Sequence, residues 1–430
     1  MDAHPITPSR QPAAARQRGA ATLVMVLGLF MVMALAAAYA SRGLMFEQRI
    51  SANNLRATQA FEAAEAGLEW AIGMLGQGRV DANCLPTANA GASTFRDRYL
   101  TQDANGLFGV TAGQATLRPS CVLSGGNFTC SCPSEGGAVA LPAVAGLAPA
   151  FQLRFVIDPA LARPGMLRVE SRGCNSIGTQ CDPAQASPAD AEALVSTLVS
   201  LSPALASPPL AALTVRTNLD LGGGAARVAN GGDGNGTGVA LAVGGSISND
   251  AAALVSGAAG TPADAARISS DGALAALSAQ RLFVGVFGVD AATYRHQPAV
   301  LHLNCAAGCT DALIQAANAN PGRPIWIDGD LDLTRDVTLG SDSHPQVLVV
   351  QGNIHNAGDF RLKGLLYLGG TQWDVTVGSA QVQGAVVAEN DLTVAGAPVV
   401  SRDAVLLDRL RLRLGSLVRV PGGWRDFVAR

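Results

Sequence analysis

Charge, aromatic rings and histidine are all scarce in this sequence. Asp, Glu, Lys and Arg make up 15% of its 430 residues, against an average of about 25%, so the chain is not a disordered polyelectrolyte. Its net charge of −3 supplies no global attraction for nucleic acid, which is not expected as a partner outside a local patch. Aromatic residues are 5% and hydrophobic residues 48%, so the apolar content is mainly alanine, valine and leucine rather than large core fillers. Many thin, closely packed layers suit that composition. The length allows two or three domains at roughly 100–200 residues each.

Catalytic and metal-binding signatures are missing too. The five histidines, His4, His296, His302, His344 and His355, have no HExxH spacing, and no GxSxG, SxxK or P-loop occurs. The run GGDGNGTG at 231–238 lacks the lysine of a phosphate loop and the second aspartate of a calcium-binding repeat, so it reads as a turn. Cys130-Ser131-Cys132 has no histidine nearby and no second knuckle, which argues against zinc. Asp328 with Asp330, and Asp374, recur where short apolar segments end; they read as turn positions rather than as glycosidase acids or calcium ligands. Neither an enzyme activity nor a cofactor or metal is expected.

What is present begins with a basic leader. Residues 1–19 carry Arg10, Arg16 and Arg18 against Asp2, and residues 20–40, AATLVMVLGLFMVMALAAAYA, carry no charge. As a helix this run spans about 31 Å, one membrane crossing. The leader keeps the N-terminus in the cytoplasm and puts everything after Ser41 on the far side. A plain anchor, a secretory signal cut after Ala38-Tyr39-Ala40 and a prepilin-type signal cut before the apolar run all fit this layout. Against the secretory reading, no proline falls between Pro12 and Pro86, and the helical rhythm continues. Phe61, Ala64, Leu68, Ile72 and Leu75 recur at helical spacing, beside an acidic stripe of Glu62, Glu65 and Glu69. One helix is expected over 20–78.

The stretches RQRGAATLVMVLGLFMVMAL and FEQRISANNLRATQAFEAAEAGLEWAI resemble the N-terminal region of PilX-family minor pilins of bacterial type IV pili. The resemblance implies that a prepilin peptidase cuts between Gly19 and Ala20 and methylates Ala20. It implies storage in the inner membrane with a periplasmic C-terminal region, then packing beside other minor pilins and the major pilin in an extracellular pilus. It implies a priming subunit at the tip, displaying an adhesin and supporting assembly, twitching motility and adhesion. Most pilins carry glutamate at the fifth mature position, and here Val24 stands there. That carboxylate would neutralise a neighbour's buried amine; its loss reflects either family drift or a place at the tip. A large minor pseudopilin of a type II secretion system resembles the same plan. From another class, the chain would be a membrane-tethered β-solenoid that binds or cleaves polysaccharide.

Beyond the helix the expected fold is α+β: a small β-sheet headpiece packed on the helix over 79–209, then a β-solenoid-like domain over 210–430. Segments such as GLFGV, QATLRPSCVL and FQLRFVIDP read as headpiece strands, and 197–209 reads as a boundary. IWIDGDLDL, VLVVQGNIHN, LLYLGGTQWDV and AVVAENDLTV start at 325, 347, 365 and 385, a degenerate repeat near 20 residues. LTVRTNLDLGG, ARVANGG and GVALAVGGSISN read as earlier rungs. CTDALIQAANAN reads as a helix that interrupts the repeat. All eight cysteines lie beyond the apolar run, as an oxidising compartment requires. Cys174 with Cys181 and Cys305 with Cys309 are the expected local disulfides, and the pairing of Cys84, Cys121, Cys130 and Cys132 stays open. In DRLRLRLGSLVRV a strand would put Leu410, Leu412 and Leu414 on one face and Arg409, Arg411 and Arg413 on the other. Such a face either blocks stray strand pairing or makes a basic ledge for a polyanion or an acidic partner.

Overall fold

The structure, a computed structural model, describes residues 18–427 except 113–117, 135–136, 143, 145–147, 158–162, 176–180, 182–190, 233–237 and 306–307. The leader as far as residue 17 and the centre of the glycine run lie outside the described residues. Helix α1 spans Arg18–Leu75; it holds no proline and is filled with alanine, leucine, methionine and glutamate, all strong helix formers. The chain forms two bodies, 1–58 and Gln59–Arg430. In the first, every described side chain from Gly19 to Leu55 is exposed.

The second body opens with the last turns of α1 laid on a sheet. After α2 (Phe95–Tyr99) come the paired strands β1 (Leu100–Gln102) and β2 (Phe108–Val110), then β3 (Ser120–Ser124), β4 (Asn127–Ser131), β5 (Ala150–Val156), β6 (Met166–Cys174) and β7 (Glu192–Pro203). β7, β6, β5, β3 and β4 pair antiparallel in that order. Alternation sends Phe151, Leu153, Phe155, Leu167, Val169, Val195 and Val199 into one core with Ala64, Leu68, Ala71 and Leu75 of α1. Trp70 meets Phe95 edge-on at 5.5 Å in the same core. Helix and sheet touch almost backbone to backbone. A Cβ on Gly67 would overlap the Ser171 hydroxyl, and one on Gly173 would overlap the Ala60 carbonyl.

That closeness corrects the sequence reading of the packed face. Ala64, Leu68 and Leu75 are buried and Ile72 is half-buried, but Phe61 remains 38% exposed while Ala60 takes the inward place. A phenyl ring does not fit where only alanine and glycine keep the two backbones together.

Downstream of β7 the chain winds into coils of short parallel strands. The first strand of each coil shows the stacking: Leu301 pairs with Ile325, Ile325 with Leu348, Leu348 with Leu366, Leu366 with Val386, Val386 with Leu213, and Leu213 with Leu241. These residues line one apolar interior with Leu331, Ile354, Trp373 and Val394 of the second strands. The segments at 325, 347, 365 and 385 therefore are successive rungs. The earlier segments from 213 to 256 are rungs too, but they stack on the last rung of the repeat instead of preceding the first. Strands Phe360–Leu368 and Ala380–Ala388 each end one coil and start the next by bending at Gly364 and Gly384. Both glycines have φ near +142°, and a Cβ on Gly384 would overlap the Gly364 carbonyl.

Polar side chains tie the rungs at their turns. Asp330 accepts the Asn353 N–H (2.7 Å), Asn353 accepts the Thr371 N–H (3.0 Å), Asp391 accepts the Asn218 N–H (3.0 Å), and Asn218 accepts the Ser246 N–H (3.0 Å). Asp374 accepts the Thr376 N–H at 2.9 Å. These acids are turn residues.

Between the two runs of rungs, α3 (Gly272–Ala275), α4 (Ala279–Phe287) and α5 (Ala291–Arg295) cover the outer side of the first strands. There Phe283 and Phe287 pack on Tyr367, and Phe283 packs on Trp326. α6 (Thr310–Ala319) is the expected interrupting helix, and its Leu313 closes the interior beside Leu301 and Leu303. Residues 404–412 form helix α7 (Ala404–Leu412), not a strand. Asp403 caps it by accepting the Leu406 N–H at 3.1 Å. Its buried positions, Leu406, Leu407 and Leu410, followed by Leu414, keep the helical period, which the short Leu-Arg alternation hides. Strand Gly415–Arg419 then pairs antiparallel with β7, so the C-terminal residues belong to the headpiece sheet, and β7 itself runs through the expected boundary.

Gly384→Val should destabilise the protein by at least about 2 kcal/mol, because it adds a side chain at a strained φ against a carbonyl. Circular dichroism melting of the detergent-solubilised chain measures it; an unchanged melting temperature would show that the corner has room.

Candidate functional site

The N-terminal part of α1 is the feature with the clearest use. From Gly19 onward it is long and apolar enough to cross a membrane. Gly19 and Ala20 lie in its first turns, where the Thr22 hydroxyl donates to the Gly19 carbonyl at 3.0 Å. Glycine holds a helical turn weakly, so the backbone at this point is cheaply unwound. Val24, 69% exposed on the apolar run, presents no charge to a neighbour.

In the head, the acidic stripe has a role that the sequence did not disclose. Glu69 pairs with Arg419 at 2.8 Å, and Glu65 accepts the Trp424 Nε1–H at 2.7 Å. Arg425 and Ser196 exchange backbone hydrogen bonds of 2.8 and 2.7 Å. The C-terminal strand and the tail VPGGWRDF are thereby fastened to both α1 and β7. Spacing alone offered no hint of partners so distant in the chain.

Four disulfides are present: Cys84–Cys132, Cys121–Cys130, Cys174–Cys181 and Cys305–Cys309. The last two are the local pairs expected from spacing, and the first two resolve the open set. Cys121 and Cys130 face each other across the β3–β4 hairpin. Cys84–Cys132 ties the segment after α1 to the end of β4, where Arg98 donates to the carbonyls of Val80, Asp81 and Cys132.

The arginines 409, 411 and 413 do not form a ledge. Arg409 donates to the Asp342 carbonyl, Arg411 pairs with Asp408 at 3.0 Å, and the Arg413 carbonyl accepts from Arg96 at 3.0 Å. On α7 Arg409 and Arg411 diverge instead of sharing the single strand face that a ledge requires, and Arg413 follows at the end of the helix. The histidines are dispersed: His302 contacts the Arg295 carbonyl (2.7 Å), and the His296 and His302 rings lie 6.3 Å apart. Among the described residues no three His, Cys, Asp or Glu side chains gather as metal ligands.

His344, on the turn before the strand at Gln346–Val350, meets Asp97 of α2 at 3.0 Å. Burial pushes the Asp97 carboxyl up, but the His344 hydrogen bond and the Arg96 charge outweigh it and hold the value down to about 2. An unfolded aspartate titrates near 3.9. The carboxylate therefore contributes stability that is present above about pH 4 and is lost as pH falls through about 2. Asp97→Asn should flatten the fall in melting temperature between pH 4 and pH 2, and a wild-type slope in the variant would refute this account of the joint.

Comparison with known proteins agrees with the helix. Residues 18–69 match the family described as PilX N-terminal. No curated protein sequence matches the chain. Among solved structures, the competence-associated pilin ComZ from Thermus thermophilus matches at 14% identity, over 85% of this chain and 95% of that one, with a TM-score of 0.20, too low to establish a common fold. The family match covers the membrane-length helix and its first head-packing turns, and it is this N-terminal region that the chain shares with the PilX family.

Proposed function

We propose that the protein is a minor pilin of a type IV pilus, a non-enzymatic subunit that primes assembly at the tip and so supports twitching motility and adhesion. The observation that carries this reading is an exposed apolar helix with Gly19-Ala20 at its start, within a PilX N-terminal match, continuing into a disulfide-bonded head. The inner membrane holds the subunit through residues 20–40 until prepilin peptidase cuts after Gly19 and methylates Ala20. Burial of the helix in lipid is then exchanged for burial against other minor pilins and the major pilin. Val24 fits a subunit at the filament tip, which need not receive another subunit's amine, with a tip adhesin as a further partner.

Mass spectrometry of the protein from sheared pili should find N-methylated Ala20 as the first residue, and a deletion strain should lose most surface pili and twitching. A start at Ser41 or an uncut leader would overturn the pilin reading. Normal piliation combined with failed enzyme secretion would move the protein to a type II secretion system instead.

A further inference from the structure

The headpiece sheet has a second face, and the chain has built it from charge. Phe151, Leu153 and Phe155 point toward α1, so on β5 Gln152 and Arg154 point the other way. Gln152 stands opposite Arg172 on β6, and Arg154 stands opposite Glu170. Together with Arg118 these side chains line a cavity of about 350 Å³, within the range of small-molecule sites. Its floor is fixed: Arg118 and Gln152 are only 8% and 5% exposed, and the Arg118 Nη1–H donates to Gln152 Oε1 at 3.2 Å. A second cavity of about 610 Å³ shares Arg118 and Arg154 with the first, so the two form one groove. It is lined in part by Thr111, whose hydroxyl is buried without a hydrogen-bond partner.

A buried arginine on a sheet face is costly where an apolar residue would serve. Arg172 is paired with Glu192. Arg154 and Glu170 are different: they sit opposite each other on adjacent strands, yet no ion pair joins them among the described residues. The groove thus offers guanidinium forks matched to a carboxylate, with a Glu170 carboxylate and a Thr111 hydroxyl suited to sugar hydroxyls. Glu170 and Glu192 disfavour a phosphate backbone, and Phe108 and Phe155 are buried, so among the described lining residues no exposed ring offers itself for a base to stack on.

We propose that this groove binds a carboxylated glycan, with Arg154 taking the sugar carboxylate, Glu170 taking hydroxyls, and Arg118 with Gln152 forming the floor. The site goes beyond the assembly role and can fail without it. Isothermal titration of the detergent-solubilised full chain with a short oligogalacturonate tests it, against a neutral maltooligosaccharide of equal length and inorganic phosphate. Binding of the acidic sugar alone is expected, weakened about tenfold or more by Arg154→Ala. Arg154 is exposed, so that variant should keep the wild-type melting temperature. Arg154→Lys should recover only part of the affinity, since an ammonium lacks the planar fork. No binding of oligogalacturonate, equal binding of the neutral sugar or of phosphate, or unchanged affinity in Arg154→Ala would each overturn the proposal.

Discussion

The head is governed by one constraint: the chain leaves the headpiece sheet and returns to it at the same place. Where β7 ends, the Ala204 N–H donates to the Leu414 carbonyl at 2.7 Å, and residues 415–419 run back along β7. With departure and return side by side, the first rung has to lie against the last, and Leu213 pairs with Val386. The stack is therefore begun at its middle, with one half filled outward and the other filled inward from its far end. One run proceeds from 213 to 268. Helices α3 to α5 then intervene, and the second run comes back from 301 to 402 until it meets the first.

Much of this could be read locally, because local physics sets it. The long helix follows from a proline-free stretch of helix formers, and the rungs from a repeat near 20 residues. The Asp and Asn turns follow from side chains that hydrogen-bond nearby backbone, and Cys305–Cys309 from a separation of 4 residues. What could not be read depends on partners far away in sequence. Leu213 on Val386 involves no local signal, nor does Trp424 on Glu65. Helical spacing points Phe61 inward because hydrophobicity ranks phenylalanine above alanine, whereas the distance between α1 and β6 admits only the smaller Ala60. Residues 409–413 read as a strand because a short alternating window competes with the longer period that begins at the Asp403 cap. The groove around Arg154 went unnoticed because its arginines come from separate strands.

The scarcity of charge acquires a structural meaning. Half-exposed ion pairs contribute only about 0–1 kcal/mol each, so a pair such as Glu69 with Arg419 mainly fixes position at the tail, as the Asp97–His344 hydrogen bond does where α2 meets the rungs. Cohesion comes from the apolar column of the coils and from their parallel hydrogen bonds. Small interior side chains such as Ala240, Ala380 and Ala388 keep each layer thin, which accounts for the composition better than any functional demand does.

Beginning the stack at its middle also sets a timetable for synthesis. Leu213 is made early and its partner Val386 late, at a sequence separation of 386 − 213 = 173. At about 5–20 residues per second this interval lasts roughly 9–35 s. Throughout it the lower edge of the first rung has backbone donors and acceptors without their native partners, on a strand of the kind that readily recruits other chains. Premature pairing during that interval is a hazard this architecture has to survive.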